Sequence, residues 1–274
     1  ITVTGEQDAD LNDESVIIIL SLDAGASDDN FDALASQTVT VSVTDDDTAG
    51  YTLSTTTVSN TEGSTSTFTI ILDAEPNSNV TIDVSSDDAA AASVDLANVS
   101  FDNSNWNVAQ TITVTGEQDA DLNDESVIIT LSLDAGASDD NFDALAAQTV
   151  TATVTDDDAA GFTFSTNTVS TTEGSTTIFT IVLDAAPNSN VTIDVSSNDT
   201  AAASIDLANV SFDNTNWNVA QTITVTGEQD TDLNDESVMI TATINDGASD
   251  DNFDALAAQT VTATVTDDDA AGFT

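Results

Sequence analysis

The string Ile-Thr-Val-Thr-Gly-Glu-Gln-Asp begins at Ile1 and returns at Ile112 and Ile223, an interval of 111 residues each time. Thr-Glu-Gly-Ser keeps that interval at Thr61 and Thr172, and Asp-Asp-Asp keeps it at Asp45, Asp156 and Asp267. Residues 1–50 and 112–161 differ at five positions. Repeats of about 20–45 residues stack because none of them can bury a core alone. A 111-residue unit has the size of an independently folding domain. Boundaries are expected at Gly50, Gly161 and Gly272, where each triple Asp gives way to a new alternating segment. The chain then reads as the C-terminal part of one domain (1–49), complete domains at 50–160 and 161–271, and the start of another at 272–274. Both ends interrupt the pattern, so the sequence is expected to be a window onto a longer array, with any export signal outside it.

Within a unit the apolar period is two, the period of a strand with one face buried. In Thr111-Ile112-Thr113-Val114-Thr115, Ile and Val point one way and Thr the other. Threonine suits the wet face, because β-branching favours extended backbone and the hydroxyl remains solvated. Strands are expected near 51–58, 66–72, 79–85, 98–102, 109–115, 126–133 and 148–155. Seven short strands predict an all-β fold of tandem immunoglobulin-like seven-stranded β-sandwich domains. The expected core includes Phe68, Ile70, Leu72, Ile82, Val84, Phe101, Ile112, Val114, Ile129, Leu131, Leu133, Val150 and Val154. Trp106 and Trp217 share one repeat position and are expected to cap that core, with carbohydrate stacking as the alternative. The polar, Ala-rich stretch from Ser138 reads as a short helical turn capped by Ser138 or Asp139. Phe142 and Leu145 would dock it on the open end of the sandwich.

Charge narrows the chemistry. The chain has 50 acidic residues and no Lys, Arg, His or Cys, for a formal net charge of -50. Phosphate binding lacks its positive groups, so nucleic acid is excluded as a partner. Imidazole acid/base catalysis, thiol nucleophiles, Schiff bases, His- or Cys-held zinc and disulfides are all unavailable. Hydrophobic residues are 39%, so the chain is not a disordered acidic tail. There is no apolar run of about 18 residues, hence no membrane-spanning helix is expected.

The acids gather at turns and unit junctions. Glu117, Asp119, Asp121, Asp124 and Glu125 form the densest group, Asp156, Asp157 and Asp158 the next, then Asp87 and Asp88, with Glu62 in a Glu-Gly turn. The following unit repeats them as Glu173, Asp199, Glu228, Asp230, Asp232, Asp235, Glu236, Asp267, Asp268 and Asp269. Converging carboxylates without basic partners either spread into water or enclose a hard cation. Calcium takes six to eight oxygens from flexible loops, and no soft ligands are present for transition metals. Asp139, Asp140 and Asp143, taken alone, read as solvated surface. The Asp119 loop lacks the glycine and flanking helices of an EF-hand. Paired carboxylates can hydrolyse glycosides, but these recur at turns in every unit, so the chain is read as non-enzymatic.

The unit resembles the Calx-beta domain, a calcium-binding immunoglobulin-like sandwich found in sodium–calcium exchangers and in many very large bacterial surface proteins. The resemblance rests on the turns Thr61-Glu62-Gly63 and Thr172-Glu173-Gly174 and on the terminal triple Asp. It rests also on Ser86-Asp87-Asp88 with Ser197-Asn198-Asp199, and on the acidic segments Glu117 to Glu125 and Glu228 to Glu236. It implies that these regions converge on calcium at one end of each sandwich. The family's Asp-Gly-Thr-Ala turn reads Asp87-Asp88-Ala89-Ala90 here, and its acidic pair reads Glu117-Gln118-Asp119. The bacterial members imply a calcium-stabilised stalk or filament of an exported surface protein, extracellular or on the cell surface. An adhesive module that binds a receptor or glycan is the alternative. Neighbouring repeats of the same chain are the expected partners, with homotypic assembly into fibres beside them.

Overall fold

The computed structural model describes residues 1–272, so residues 273 and 274 of the segment expected to open a further repeat lie outside the described residues. The architecture is all-β. Two strands lie in the leading segment: β1 (Glu14–Leu20) and β2 (Gln37–Val43). The next repeat supplies β3 (Tyr51–Leu53), β4 (Thr57–Thr61), β5 (Thr65–Leu72), β6 (Val80–Ser86), β7 (Ala92–Val94), β8 (Asn98–Phe101), β9 (Gln110–Gly116), β10 (Glu125–Leu133) and β11 (Gln148–Thr155). The following repeat supplies β12 (Phe162–Phe164), β13 (Thr168–Thr172), β14 (Thr176–Leu183), β15 (Val191–Ser197), β16 (Ala203–Ile205), β17 (Asn209–Phe212), β18 (Gln221–Gly227), β19 (Glu236–Ile244) and β20 (Gln259–Thr266).

Each set of nine builds two sheets of similar size. In the first, the order is β4-β11-β10-β6-β8 in one sheet and β3-β5-β9-β7 in the other. In the second it is β13-β20-β19-β15-β17 and β12-β14-β18-β16. β13 runs parallel to β20, from Thr168 opposite Thr262 to Thr172 opposite Thr266, whereas β10 runs antiparallel to β11 and β6, and β19 antiparallel to β20 and β15. Phe68, Ile70 and Ile112 from one sheet share a core with Ile82, Ile129 and Val150 from the other. All six are essentially unexposed. A fully buried side chain of this kind contributes about 1.5–3 kcal/mol over leaving it in water. Every expected core residue is buried except Leu133, which is half-buried against the same core. Trp106 and Trp217 are also half-buried, each packed on its core.

The seven-stranded immunoglobulin-like expectation is corrected to nine strands in this two-sheet, sandwich-like arrangement. The expected strand 51–58 is two strands in different sheets. Between them Thr55 Oγ1 donates to Thr57 O at 2.9 Å and accepts from Thr57 N at 3.2 Å. A side chain that answers the backbone locally replaces the ladder and lets the chain turn. The other added strand, β7, is only three residues long and pairs with β9.

The expected helical turn is a set of tight turns after a 3-10 segment at Ala135–Ala137. Phe142 N donates to Asp139 O at 2.9 Å and Leu145 N to Phe142 O at 3.0 Å. Phe142 is fully buried and Leu145 packs on the core, as expected of that loop. Asp139 is not solvated surface: it is buried, and its Oδ2 accepts Asn77 N at 2.6 Å and Ser78 N at 3.0 Å.

Contacts divide the chain into two compact units, one of Ile1–Glu117 with Glu125–Val154, the other of Gln118–Asp124 with Thr155 onward. The acidic loop Gln118–Asp124 therefore belongs with β12 to β20 of the following repeat.

Candidate metal centre

The Glu-Gly turn places the most buried acid. Gly174 has φ +67°, the left-handed region that glycine adopts without a Cβ penalty. Glu173 beside it is 3% exposed. Its Oε2 accepts Gln229 Nε2 at 3.1 Å, while its Oε1 is buried without a hydrogen-bond partner. Carboxylate oxygens of Glu173, Asp230 and Glu236 lie within 4.8 Å of one another. Burial pushes the Glu173 carboxyl above the ordinary range, and Asp230, Asp267 and Asp268 push it the same way, against the Asp230 backbone N–H that lowers it. Glu236 is raised by burial and by Asp230, Asp232 and Asp267.

The neighbouring acids are held by their own backbone. Asp230 Oδ1 accepts Asp232 N at 2.8 Å and Asp232 Oδ1 accepts Asn234 N at 2.7 Å. Asp235 Oδ1 accepts Asp267 N at 3.0 Å, and Asp267 Oδ1 accepts Asp269 N at 3.2 Å. Asp268 takes the second bond of Gln229 Nε2, at 3.1 Å. In this way the triple Asp is tied to the loop before β19.

A related grouping, built from the counterparts of Asp230, Asp232, Glu236, Asp267 and Asp269, appears in the leading segment, where Asp8, Asp10 and Glu14, and separately Asp8, Asp45 and Asp47, bring oxygens within 4.8 Å. A cavity of about 190 Å³ there is lined by Asp8, Glu14, Asp45 and Asp46, among others. Glu14 is raised by burial and by Asp8, Asp10 and Asp45, and Asp47 by burial and by Asp45, Asp46, Asp8 and Asp10. These six acids were outside the expected ligand set, although the 111-residue interval points straight to them.

In the middle repeat, Asp119 Oδ1 accepts Asp121 N at 2.8 Å, Asp124 Oδ1 accepts Asp156 N at 3.0 Å and Asp157 Oδ1 accepts Gln118 Nε2 at 2.9 Å. Asp158 Oδ2 is buried without a partner, and burial, then Asp156, Asp157, Asp119 and Asp121, raise its carboxyl. Glu62 is 4% exposed, and Glu125 opens β10.

Other expected ligands make structural bonds. Asp87 Oδ1 accepts Ile128 N at 2.7 Å, and its counterpart Asn198 accepts Met239 N at 2.8 Å. An amide does the same work, so this position extends the β6–β10 and β15–β19 pairings without needing a charge. Asp88 and Asp199 each accept a turn N–H, from Ala90 and Ala201, at 3.0 Å. Glu117 accepts the Ser93 hydroxyl, and Glu228 accepts that of Ser204.

The donor set is oxygen alone, with an unpartnered buried carboxylate oxygen and no basic side chain to neutralise it. That chemistry suits a hard divalent cation. Among the described residues no helix is long and apolar enough to cross a membrane.

No protein-family model and no curated protein sequence matches the chain. Among solved structures, the calcium binding domain CBD12 of CALX1.1 matches at 13% identity and a TM-score of 0.33, covering 79% of this chain and 99% of that one. A chaperone–tip adhesin complex of CFA/I fimbriae matches at 9% identity and a TM-score of 0.30, covering 72% and 92%. The E. coli chaperone DraB matches at 10% identity and a TM-score of 0.29, covering 78% and 98%. None of these distant matches assigns the chain to a family. The class that fold and site define is an all-β repeat chain with recurrent carboxylate clusters.

Proposed function

We infer that the chain is a calcium-stabilised structural repeat, with domains at 50–160 and 161–271, forming an extended stalk or filament of an exported microbial surface protein. One observation carries the reading: Glu173 Oε1 is buried and unpartnered inside a cluster with Asp230 and Glu236, in a chain with no cationic side chain. Leaving a carboxylate buried and uncompensated is costly, and a bound cation removes the cost. Glu173, Asp230 and Glu236 would hold the ion, with Asp232, Asp267, Asp268 and Asp269 near them on the same loops. A hard divalent ion there supplies charge neutralisation and cross-links the turn after β13, the loop before β19 and the segment after β20. Ligand binding to the folded state alone raises stability by mass action.

The test is calcium titration by calorimetry together with melting in calcium and in chelator. A clear rise of melting temperature with calcium is expected, lost or reduced at least about tenfold in affinity by Glu173→Gln. Equal melting in both media would sink the calcium reading. Small-angle scattering with and without chelator tests the stalk separately, and binding of the chain on a glycan array would favour the adhesive alternative.

A further inference from the structure

The acidic loop occurs three times with nearly one sequence: Gln7 to Asp13, Gln118 to Asp124 and Gln229 to Asp235, with Thr231 as the single change. Two copies are seated on the repeat that follows them. In the first, Glu75 N donates to Ala9 O at 2.7 Å and the side chains of Asn12 and Asn77 exchange two amide hydrogen bonds at 2.8 and 2.9 Å. Leu11 packs on the core and lines a groove with Ala49, Ala144 and Leu145, at whose rim stand Asp45 and Asp47 of its own repeat. In the second, Ala186 N donates to Ala120 O at 2.6 Å, and Asn123 and Asn188 exchange two bonds at 2.9 and 2.7 Å. Leu122 packs on that core beside the half-buried Ala160 and Leu256.

The third copy has the same internal bonds, Asp232 N to Asp230 Oδ1 at 2.8 Å and Asn234 N to Asp232 Oδ1 at 2.7 Å. Its leucine, Leu233, is 55% exposed. The loop is thus shaped for docking before it docks, which lowers the ordering cost of binding. Its carboxylates, on Asp230, Asp232 and Asp235, are not the docking groups; Asn234 Nδ2 donates to Asp232 Oδ1 at 2.7 Å, a bond that the docked Asn12 keeps with Asp10 at 2.8 Å.

We propose that residues 229–234 are a docking key for the entry face of a second copy of this repeat, the face formed by the counterparts of Glu75, Asn77 and Leu145. Leu233 fills the groove, the residue 231 carbonyl takes the counterpart of the Glu75 N–H, and Asn234 pairs with the counterpart of Asn77. The recognition is apolar and hydrogen-bonded, and does not require the cation.

The chain has no cysteine, so introduced thiols report on this directly. One full-length chain carries Asn234→Cys. A second carries Leu11→Asp, to vacate the groove, together with Asn77→Cys. Mixed under mild oxidation at about 0.15 M salt, where repulsion beyond roughly 8 Å is screened, they are expected to form a mixed disulfide dimer. Adding Leu233→Asp to the first chain should cut its yield at least about tenfold, as expected for loss of a buried anchor. Restoring Leu11 in the second should cut it similarly. Melting curves of each variant confirm folding, since Leu233 lies at the surface. A full-length chain carrying Asn12→Cys and Asn77→Cys should close within itself. Absence of the dimer while that control closes, a dimer indifferent to Leu233→Asp, or failure of the control would each overturn the proposal.

Discussion

Asn123 and Asn188, 65 positions apart, satisfy each other's amides: Asn123 Nδ2 donates at 2.9 Å and Asn188 Nδ2 returns the bond at 2.7 Å. Asn12 and Asn77 form the same pair at the same separation in sequence. The pair fixes the loop that carries Leu122 onto its core. Asn188→Ala should cost about 0.5–1.5 kcal/mol, the net worth of such bonds. Hydrogen exchange should localise the effect, with faster exchange at the Asp121 and Asn123 amides and unchanged protection in β14 and β18. Unchanged exchange in the loop would show that the pair does not hold it.

The raised carboxyls set a pH dependence with a definite sign. In the folded chain without cation, Glu173, Glu236 and Asp158 are all pushed up, with burial the first cause. Between the ordinary value, 4.5 for a glutamate, and the raised one, the folded state binds more protons than the unfolded state. Stability therefore falls as pH rises through that window and is best kept below it. In chelator, melting temperature should drop across the acid-to-neutral range, and Glu173→Gln should flatten part of the drop. With calcium the ionised form is the bound form, and the drop should vanish. Melting curves between about pH 4 and 7 check both signs.

Tyr51 and Phe162 occupy one repeat position in two settings. Tyr51 donates its hydroxyl to Leu131 O at 3.0 Å and accepts Gln148 N at 3.0 Å. Phe162 has no hydroxyl and packs edge-on to Phe164 at 5.7 Å, where the first repeat has Leu53. The site accepts a bare ring, so Tyr51→Phe makes no void but leaves the Gln148 N–H and the Leu131 carbonyl without it. A loss of about 1–2 kcal/mol is expected in denaturant unfolding. Adding Leu53→Phe should recover part of it by the edge-to-face contact. No loss on Tyr51→Phe would mean the hydroxyl bonds are replaced by water.

Alternation of β-branched and apolar residues was enough to place β5, β6, β9, β10 and β11 within a residue or two, because each is seven residues or longer. β3, β4 and β7 escape that signal: three to five residues show little period, and the Ala89 to Ala92 run has no strand character. The acid clusters were legible as groups, since Asp and Glu crowd into turns. Their separate duties were not. Asp139 looks like any loop acid until Asn77 and Ser78 are brought to it from 62 and 61 positions away. Asp87 looks like a ligand until Asn198 is seen making its bond. Leu122 carries no periodic signal at all, and its role emerges only from the core it touches.

Gly174 and Gly227 are both required, for different reasons that mutation can separate. At Gly174 an added Cβ would meet nothing closer than Gln229 Nε2 at 3.7 Å, but φ is +67°. At Gly227 an added Cβ would meet Thr172 O at 2.8 Å and Val265 Cγ1 at 2.9 Å. Gly174→Ala should therefore cost about 1–2 kcal/mol of left-handed backbone strain, and Gly174→Asn less, since asparagine visits that region more readily. Gly227→Ala should cost about 1–3 kcal/mol by overpacking against backbone, and Gly227→Asn more than that, because the larger side chain worsens the clash. Thermal unfolding of the four variants gives the two opposite orders. If asparagine is worse than alanine at both positions, the conformational account of the Glu-Gly turn fails and Gly174 is there for space, as Gly227 is.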